Sequence, residues 1–201
     1  MQHPGQQSIS FKRNLNKKQL AKQVDWFSTL ATNNLHFKKA VLKKDELTLI
    51  LLDISASTLG RTSLSEALGT IKQLAQALYI NRKDISIMTF GNDKVEMLIK
   101  PQRTPKNIEA RLNLVKAGGG TPLKKALQQA SLFIEKQLYH YESCKLYLFT
   151  DGRSTDSLDS INLNCEAIII DTEKNNINLG FAKKLARDLN ANYLDLSSLA
   201  S

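Results

Sequence analysis

The feature that most constrains this chain is a repeated change of hydrophobic period. Strand-length apolar runs alternate with segments whose apolar residues recur every three or four positions. Leu47-Thr48-Leu49-Ile50-Leu51-Leu52 is nearly continuous, as expected of a central strand covered on both faces. Behind it Leu64, Ala67, Leu68, Ile71, Leu74, Ala75 and Leu78 keep helical spacing, with Ser63 and Glu66 placed as a capping box. The runs 85–90 and 95–99 flank Gly91-Asn92-Asp93 and predict a hairpin. Thr104-Pro105 predicts a helix through Ile108, Leu112 and Val115, broken by Gly118-Gly119-Gly120. Thr121-Pro122 opens the next, with a broad apolar stripe from Leu123 to Leu138. Runs 145–150 and 167–170 predict two more strands, and a helix through Ala182, Leu185, Ala186 and Leu189 precedes a last one at 193–196. The expected fold is α/β: a doubly wound, mostly parallel six-stranded sheet with one antiparallel strand and helices on both faces, Rossmann-like in its winding.

The chain divides into a tail over 1–16, a basic helical arm over 17–46 and a domain over 47–201. In the arm, Leu20, Ala21, Val24, Phe27, Leu30 and Ala31 fall at helical spacing. Residues 1–46 carry nine Lys and Arg against three acids, so they hold two thirds of the net charge of +9. Such an arm can meet nucleic acid, an acidic protein surface or an anionic membrane, or simply be a solvated helical face. With 42% hydrophobic and 23% charged residues, a wholly disordered chain is excluded. No apolar run reaches the roughly 18 residues of a membrane span. Residues 1–7 lack the apolar core of a secretion signal, so the cytoplasm is the expected compartment. Cys144 and Cys165 are too few and too far apart for a zinc site or a disulfide scaffold, and read as buried free thiols.

Three short segments stand at strand ends or helix starts: Asp53-Ile54-Ser55-Ala56-Ser57, Gly118-Gly119-Gly120-Thr121-Pro122 and Thr150-Asp151-Gly152. In doubly wound sheets ligands bind beyond the carboxyl ends of the strands, so segments this distant in sequence can converge. They bring only oxygen: the carboxylates of Asp53 and Asp151 and the hydroxyls of Ser55, Ser57 and Thr121. Hard donors of this kind suit Mg²⁺ or Mn²⁺. Two carboxylates neutralise a dication, and neutral hydroxyls add no charge, so the ion keeps its affinity for one more anionic oxygen. A carboxylate from another chain can supply it.

Each segment alone has an ordinary reading. Thr121-Pro122 is also an N-cap followed by proline, and Asp151-Gly152 is also a turn. Asp171-Thr172, ending a strand beside the site, reads as a support behind the site residues or as a helix cap, the cap being the better reading. Arg153 reads equally as a solvated side chain or as a guide for an acidic partner. Enzymatic chemistry fits poorly. Neither serine sits in Gly-x-Ser-x-Gly, His3, His36 and His140 lie elsewhere, and there is no phosphate-binding Gly-x-x-x-x-Gly-Lys loop.

Together the three segments resemble the metal-ion-dependent adhesion site of von Willebrand factor A domains. The resemblance is closer to the C-terminal A domain of the magnesium chelatase D subunit. It is carried by Gly-Gly-Gly-Thr-Pro-Leu (118–123), Leu-Phe-Thr-Asp-Gly-Arg (148–153), Ile-Ile-Asp-Thr (169–172) and Asp25-Trp26-x-x-Thr29-Leu30. It implies that Ser55, Ser57 and Thr121 bind the ion directly, and that Asp53 and Asp151 do so directly or through water. It also implies that the strands ending in Asp53 and Asp151 lie side by side. Ala56 departs from a frequent glycine, and nothing in the chain resembles the D subunit's ATPase-like half.

The function this implies is a non-catalytic adaptor, dependent on Mg²⁺ or Mn²⁺, that grips an Asp or Glu of a protein partner. That partner would be an AAA+ ATPase of the chelatase or MoxR type, or its client. Two alternatives stand beside it: a component of a tetrapyrrole metal chelatase, or a nucleic-acid-associated A domain using the basic arm. Aromatic residues in the arm are few (Phe11, Trp26, Phe27 and Phe37), which disfavours nucleic acid.

Overall fold

The central apolar run becomes the middle of a sheet in a computed structural model, which describes residues 43–55, 61–116, 118–153, 158, 161–173 and 180–199. The tail, nearly all of the arm, Ala56 and Ser57 lie outside the described residues. In chain order the elements are β1 (Lys44–Asp53), α1 (Arg61–Ile80), β2 (Asp84–Gly91), β3 (Lys94–Arg103), α2 (Glu109–Leu112), α3 (Leu123–Gln137), β4 (Tyr141–Thr150), β5 (Glu166–Asp171), α4 (Phe181–Asp188) and β6 (Asn192–Asp195). A 3-10 turn, Leu196–Leu199, follows.

The strand order is β3-β2-β1-β4-β5-β6. All neighbouring pairs are parallel except β2 and β3, the expected hairpin. Its turn residues Asn92 and Asp93 both have positive φ, 51° and 58°, the geometry that matches the twist of a tight hairpin. Every residue from Leu47 to Asp53 is buried, which is why that run shows no polar alternation. Side chains along it alternate between two cores. Leu47, Leu49 and Leu51 join Leu123, Leu127 and Leu185 of α3 and α4 on one face. Ile50 and Leu52 join Ala67, Ile71 and Leu112 of α1 and α2 on the other. Burial of each such leucine or isoleucine contributes roughly 2 kcal/mol, so this strand anchors both layers.

Three boundaries differ from the expectation, each for a local reason. β4 begins at Tyr141, four residues before the apolar run, because the Tyr141 hydroxyl donates to Asp84 Oδ2 at 2.9 Å. Lys44 Nζ donates to the same oxygen at 2.7 Å, so both strand starts are fastened to β2. The helix expected from Thr104 shrinks to a single turn, Glu109–Leu112. Thr104 instead donates both its N–H and its hydroxyl to the Lys83 carbonyl, at 3.1 and 2.8 Å, and this holds the segment against the start of β2. α1 starts at Arg61, which places Ser63 inside its first turn and not at a cap.

Both cysteines are free thiols, Cys144 buried and Cys165 half-buried. The β4–β5 register pairs Lys145 with Glu166, so the two cysteines stand one position earlier on adjacent strands. Burial pushes each thiol up to about 11.

Candidate functional site

The strand order runs outward in opposite directions from β1 and β4, which makes their carboxyl ends the switch point of the sheet. Leu52 pairs with Phe149, so the strands bearing Asp53 and Asp151 lie side by side, as the resemblance implied. Asp53, Ser55 and Asp151 are all buried there.

Asp53 is held at both oxygens. Its Oδ1 accepts the Ser55 N–H at 2.9 Å, and its Oδ2 accepts the Thr150 hydroxyl at 2.8 Å. Burial pushes the Asp53 carboxyl above its ordinary range, the bonds from Ser55 and Thr150 oppose that shift, and the nearby charge of Asp151 adds to it. Asp151 is likewise pushed up, first by burial, against the Arg153 N–H and guanidinium, which favour its charged form. Asp151 Oδ1 accepts the Arg153 N–H at 2.9 Å. Its Oδ2 is buried without a hydrogen-bond partner. Two desolvated carboxylates, one with an orphaned oxygen, are stabilised by a cation brought between them.

The glycine run reaches the same place through the backbone. Ile54 donates its N–H to the Phe90 carbonyl at 2.8 Å and accepts the Gly118 N–H at 2.8 Å. One residue thus joins the β1 loop, the hairpin and the loop before α3. Gly119 has a φ of +70°, and a Cβ there would stand 2.5 Å from Asn92 Cα. The loop therefore passes where only glycine fits. It delivers Thr121, half-buried, to the start of α3. The N-cap position of α3 is held by Pro122, one residue after Thr121. A cleft of about 140 Å³ lined by Ile54, Thr89, Gly91, Asn92, Lys94 and Glu96 lies beside this junction.

Asp53, Ser55 and Asp151 are brought together, Thr121's loop is tied to theirs through Ile54, and Ser57 lies outside the described residues. Among the described residues Asp171 caps no helix. Its Oδ1 accepts the Glu173 N–H and its Oδ2 the Tyr193 hydroxyl, each at 2.9 Å, and the N-cap of α4 is Gly180. Sequence reasoning placed Thr150 in the Thr150-Asp151-Gly152 segment but gave its hydroxyl no role; its place at a strand end before Asp151 was the available signal. It passed over Glu173, for which there was none. Among the described residues no group of three or more His, Cys, Asp and Glu is arranged to hold a metal. A site of two carboxylates completed by hydroxyls does not need one.

A mostly parallel six-stranded sheet whose order reverses between β1 and β4 defines the doubly wound α/β class. The von Willebrand factor type A domain matches residues 48–153, and the chain belongs to that family. It is similar to the magnesium-chelatase 67 kDa subunit of Heliobacterium mobile, 26% identical over 194 residues that cover 86% of this chain and 29% of that protein. It is also 27% identical over 128 residues to the magnesium-chelatase 60 kDa subunit of Rhodobacter capsulatus, covering 64% of this chain and 23% of that subunit. The chain thus spans less than a third of the length of these relatives. Among solved structures, the protein BatB of Bacteroides thetaiotaomicron shares the fold with a TM-score of 0.56 at 15% identity, over 77% of this chain and 93% of that one. The SpRpn10 VWA domain does so with a TM-score of 0.51 at 15% identity and the same coverage. No helix among the described residues is long and apolar enough to cross a membrane.

Proposed function

We propose that the chain is a non-catalytic protein-binding module whose adhesion site takes Mg²⁺ or Mn²⁺ and, through it, an Asp or Glu of a partner. Asp53 and Asp151 would hold the ion with the hydroxyls of Ser55, Ser57 and Thr121. The bound ion supplies a position that an outside carboxylate can occupy. The observation that carries this reading is the buried Oδ2 of Asp151, which accepts no hydrogen bond and has Arg153 Nε at 3.5 Å, beside the buried carboxylate of Asp53. A desolvated charged oxygen that accepts no hydrogen bond is only partly compensated by a guanidinium at ion-pair distance, and a bound cation would complete its pairing. The cleft beside Ile54, with Lys94 in its lining, is of a size to take a partner's side chain.

The partner in this reading is an AAA+ ATPase of the chelatase or MoxR type, or its client, met in the cytoplasm, and the basic arm over 17–46 supplies a second contact. The test is capture of candidate ATPases by the immobilised protein in Mg²⁺, in chelator, and with Asp53→Ala. Capture indifferent to both changes removes the adhesion site from the interaction. The similarity to magnesium-chelatase subunits favours a second reading, a component of a tetrapyrrole metal chelatase. Addition of the protein to a chelatase assay lacking its D subunit separates the two.

A further inference from the structure

We propose that Arg153 and Glu173 are a charge-balancing pair that positions Asp151 and sets the affinity of the site for its ion. This rests on the adhesion-site reading above.

The Arg153 guanidinium stands between two carboxylates, and it bonds only one. Its Nη2 donates to Glu173 Oε1 at 3.1 Å, while its Nε lies 3.5 Å from Asp151 Oδ2. That second distance is beyond a hydrogen bond. Arg153 Nε and Asp151 Oδ2 are both buried, and neither has a hydrogen-bond partner elsewhere. Both carboxylate side chains are 2% exposed, against 35% for Arg153. Glu173 thus draws the guanidinium off Asp151, close enough to counter its charge and too far to take its oxygen.

The backbone builds this arrangement in. Arg153 and Glu173 follow Asp151 and Asp171 by two residues, and each donates its N–H to that aspartate's Oδ1 at 2.9 Å. Thr172 donates its N–H to the Thr150 carbonyl at 3.2 Å, which ties the two turns together at the ends of adjacent strands. Arg153 and Glu173 carry opposite charges, and both act on the Asp151 carboxyl, Arg153 favouring its ionised form and Glu173 opposing it. The pair therefore adds no net charge, while each member alone shifts the field at Asp151 in its own direction.

Opposite effects of the two single substitutions follow, which a packing role would not produce. Calorimetric titration of the chain with Mn²⁺ alone measures them, with Asp151→Ala as the control for the site. Arg153→Gln is expected to tighten Mn²⁺ binding about tenfold and Glu173→Gln to weaken it about tenfold, for one unit of charge moved a few ångströms from a dication. The double substitution returns to within about threefold of the parent, and Arg153→Lys, which keeps the charge, stays near it. Should Arg153→Gln fail to fold, the loss in Glu173→Gln and the recovery in the double substitution carry the test. If the parent binds Mn²⁺ and both single substitutions weaken binding, or neither moves it, the pair has no such role and the adhesion site stands. If the parent shows no saturable binding, or Asp151→Ala does not reduce it, the adhesion-site reading falls and takes the pair with it.

Discussion

Thr150 donates its hydroxyl to Asp53 Oδ2 at 2.8 Å, joining residues 97 apart in sequence across the β1–β4 boundary. The same hydroxyl oxygen accepts the Gly152 N–H at 3.1 Å. Thr150 therefore couples the carboxylate that ends β1 to the turn that follows β4. Thr150→Val keeps the shape and removes both bonds in a fully buried setting. The expected loss is about 2–3 kcal/mol, because a buried acceptor and a buried donor are both left short. Thr150→Ser, which retains the hydroxyl, should lose about 1 kcal/mol or less, by comparison of urea midpoints at constant slope.

Gly152 and Gly180 share a backbone conformation, with φ of +73° and +70°, and differ in surroundings. A Cβ on Gly152 would stand 2.5 Å from Ala182 N and 2.7 Å from Ala182 Cα, whereas one on Gly180 meets nothing within 4 Å. Gly180→Ala then carries only the left-handed penalty, about 1–2 kcal/mol. Gly152→Ala must also push α4 off the Asp151 turn, and is expected to cost about 3 kcal/mol or more. Equal losses in thermal denaturation would mean that α4 does not lean on this turn.

What the sequence revealed and what it hid divide along a physical line. The seven-residue buried stretch of β1, the hairpin and the stripe on α3 are local patterns, legible because period and burial leave their mark on neighbouring residues. The donors Asp53, Thr121 and Asp151 stood out for the same reason, each sitting where a strand ends or a helix begins. Tyr141 extending β4, Thr104 halting a helix and Glu173 engaging Arg153 are all settled by a bond to a residue at least 20 positions away. Nothing in the local pattern marks such partners. Cys144 and Cys165 read as unrelated by spacing and become neighbours only through the β4–β5 register.

Asp84 gives the fold a dependence on pH away from the candidate site. Burial alone would push its carboxyl up, yet the bonds from Lys44 and Tyr141, with Lys44 and Arg103 as nearby charges, hold it below its ordinary value. A carboxyl lowered in the folded state contributes stability that is full above its unfolded value, near 3.9, and is lost as pH falls through the lower folded value. Stability should therefore drop as pH falls below about 4, and Asp84→Asn should flatten the profile in that window. At pH 7 the substitution is expected to cost about 1–2 kcal/mol, since Lys44 is largely exposed and water screens its share of the pairing. Parallel acid profiles for the two proteins would assign the acid loss to other carboxylates.

Thr121 tests whether the glycine loop contributes a donor to the ion. Pro122 stands at the N-cap of α3, and a proline side chain makes no cap bond. Denaturation of Thr121→Val and the parent without metal gives the hydroxyl's contribution to the fold itself, and the Mg²⁺ shift is read from that baseline. Under the adhesion-site reading, Mg²⁺ at about a hundred times its dissociation constant stabilises the parent by about 2.7 kcal/mol. For a chain of this size that is a rise in Tm of roughly 5–10 °C, reversed by chelator. Removing one hydroxyl donor that weakens the ion about tenfold takes about 1.4 kcal/mol from that gain at the same Mg²⁺ concentration, roughly half the rise. Melting curves of both proteins, with Mg²⁺ and with chelator, read this directly. An identical Mg²⁺ shift in Thr121→Val would strike Thr121 from the donor set and leave the carboxylates to hold the ion without the glycine loop.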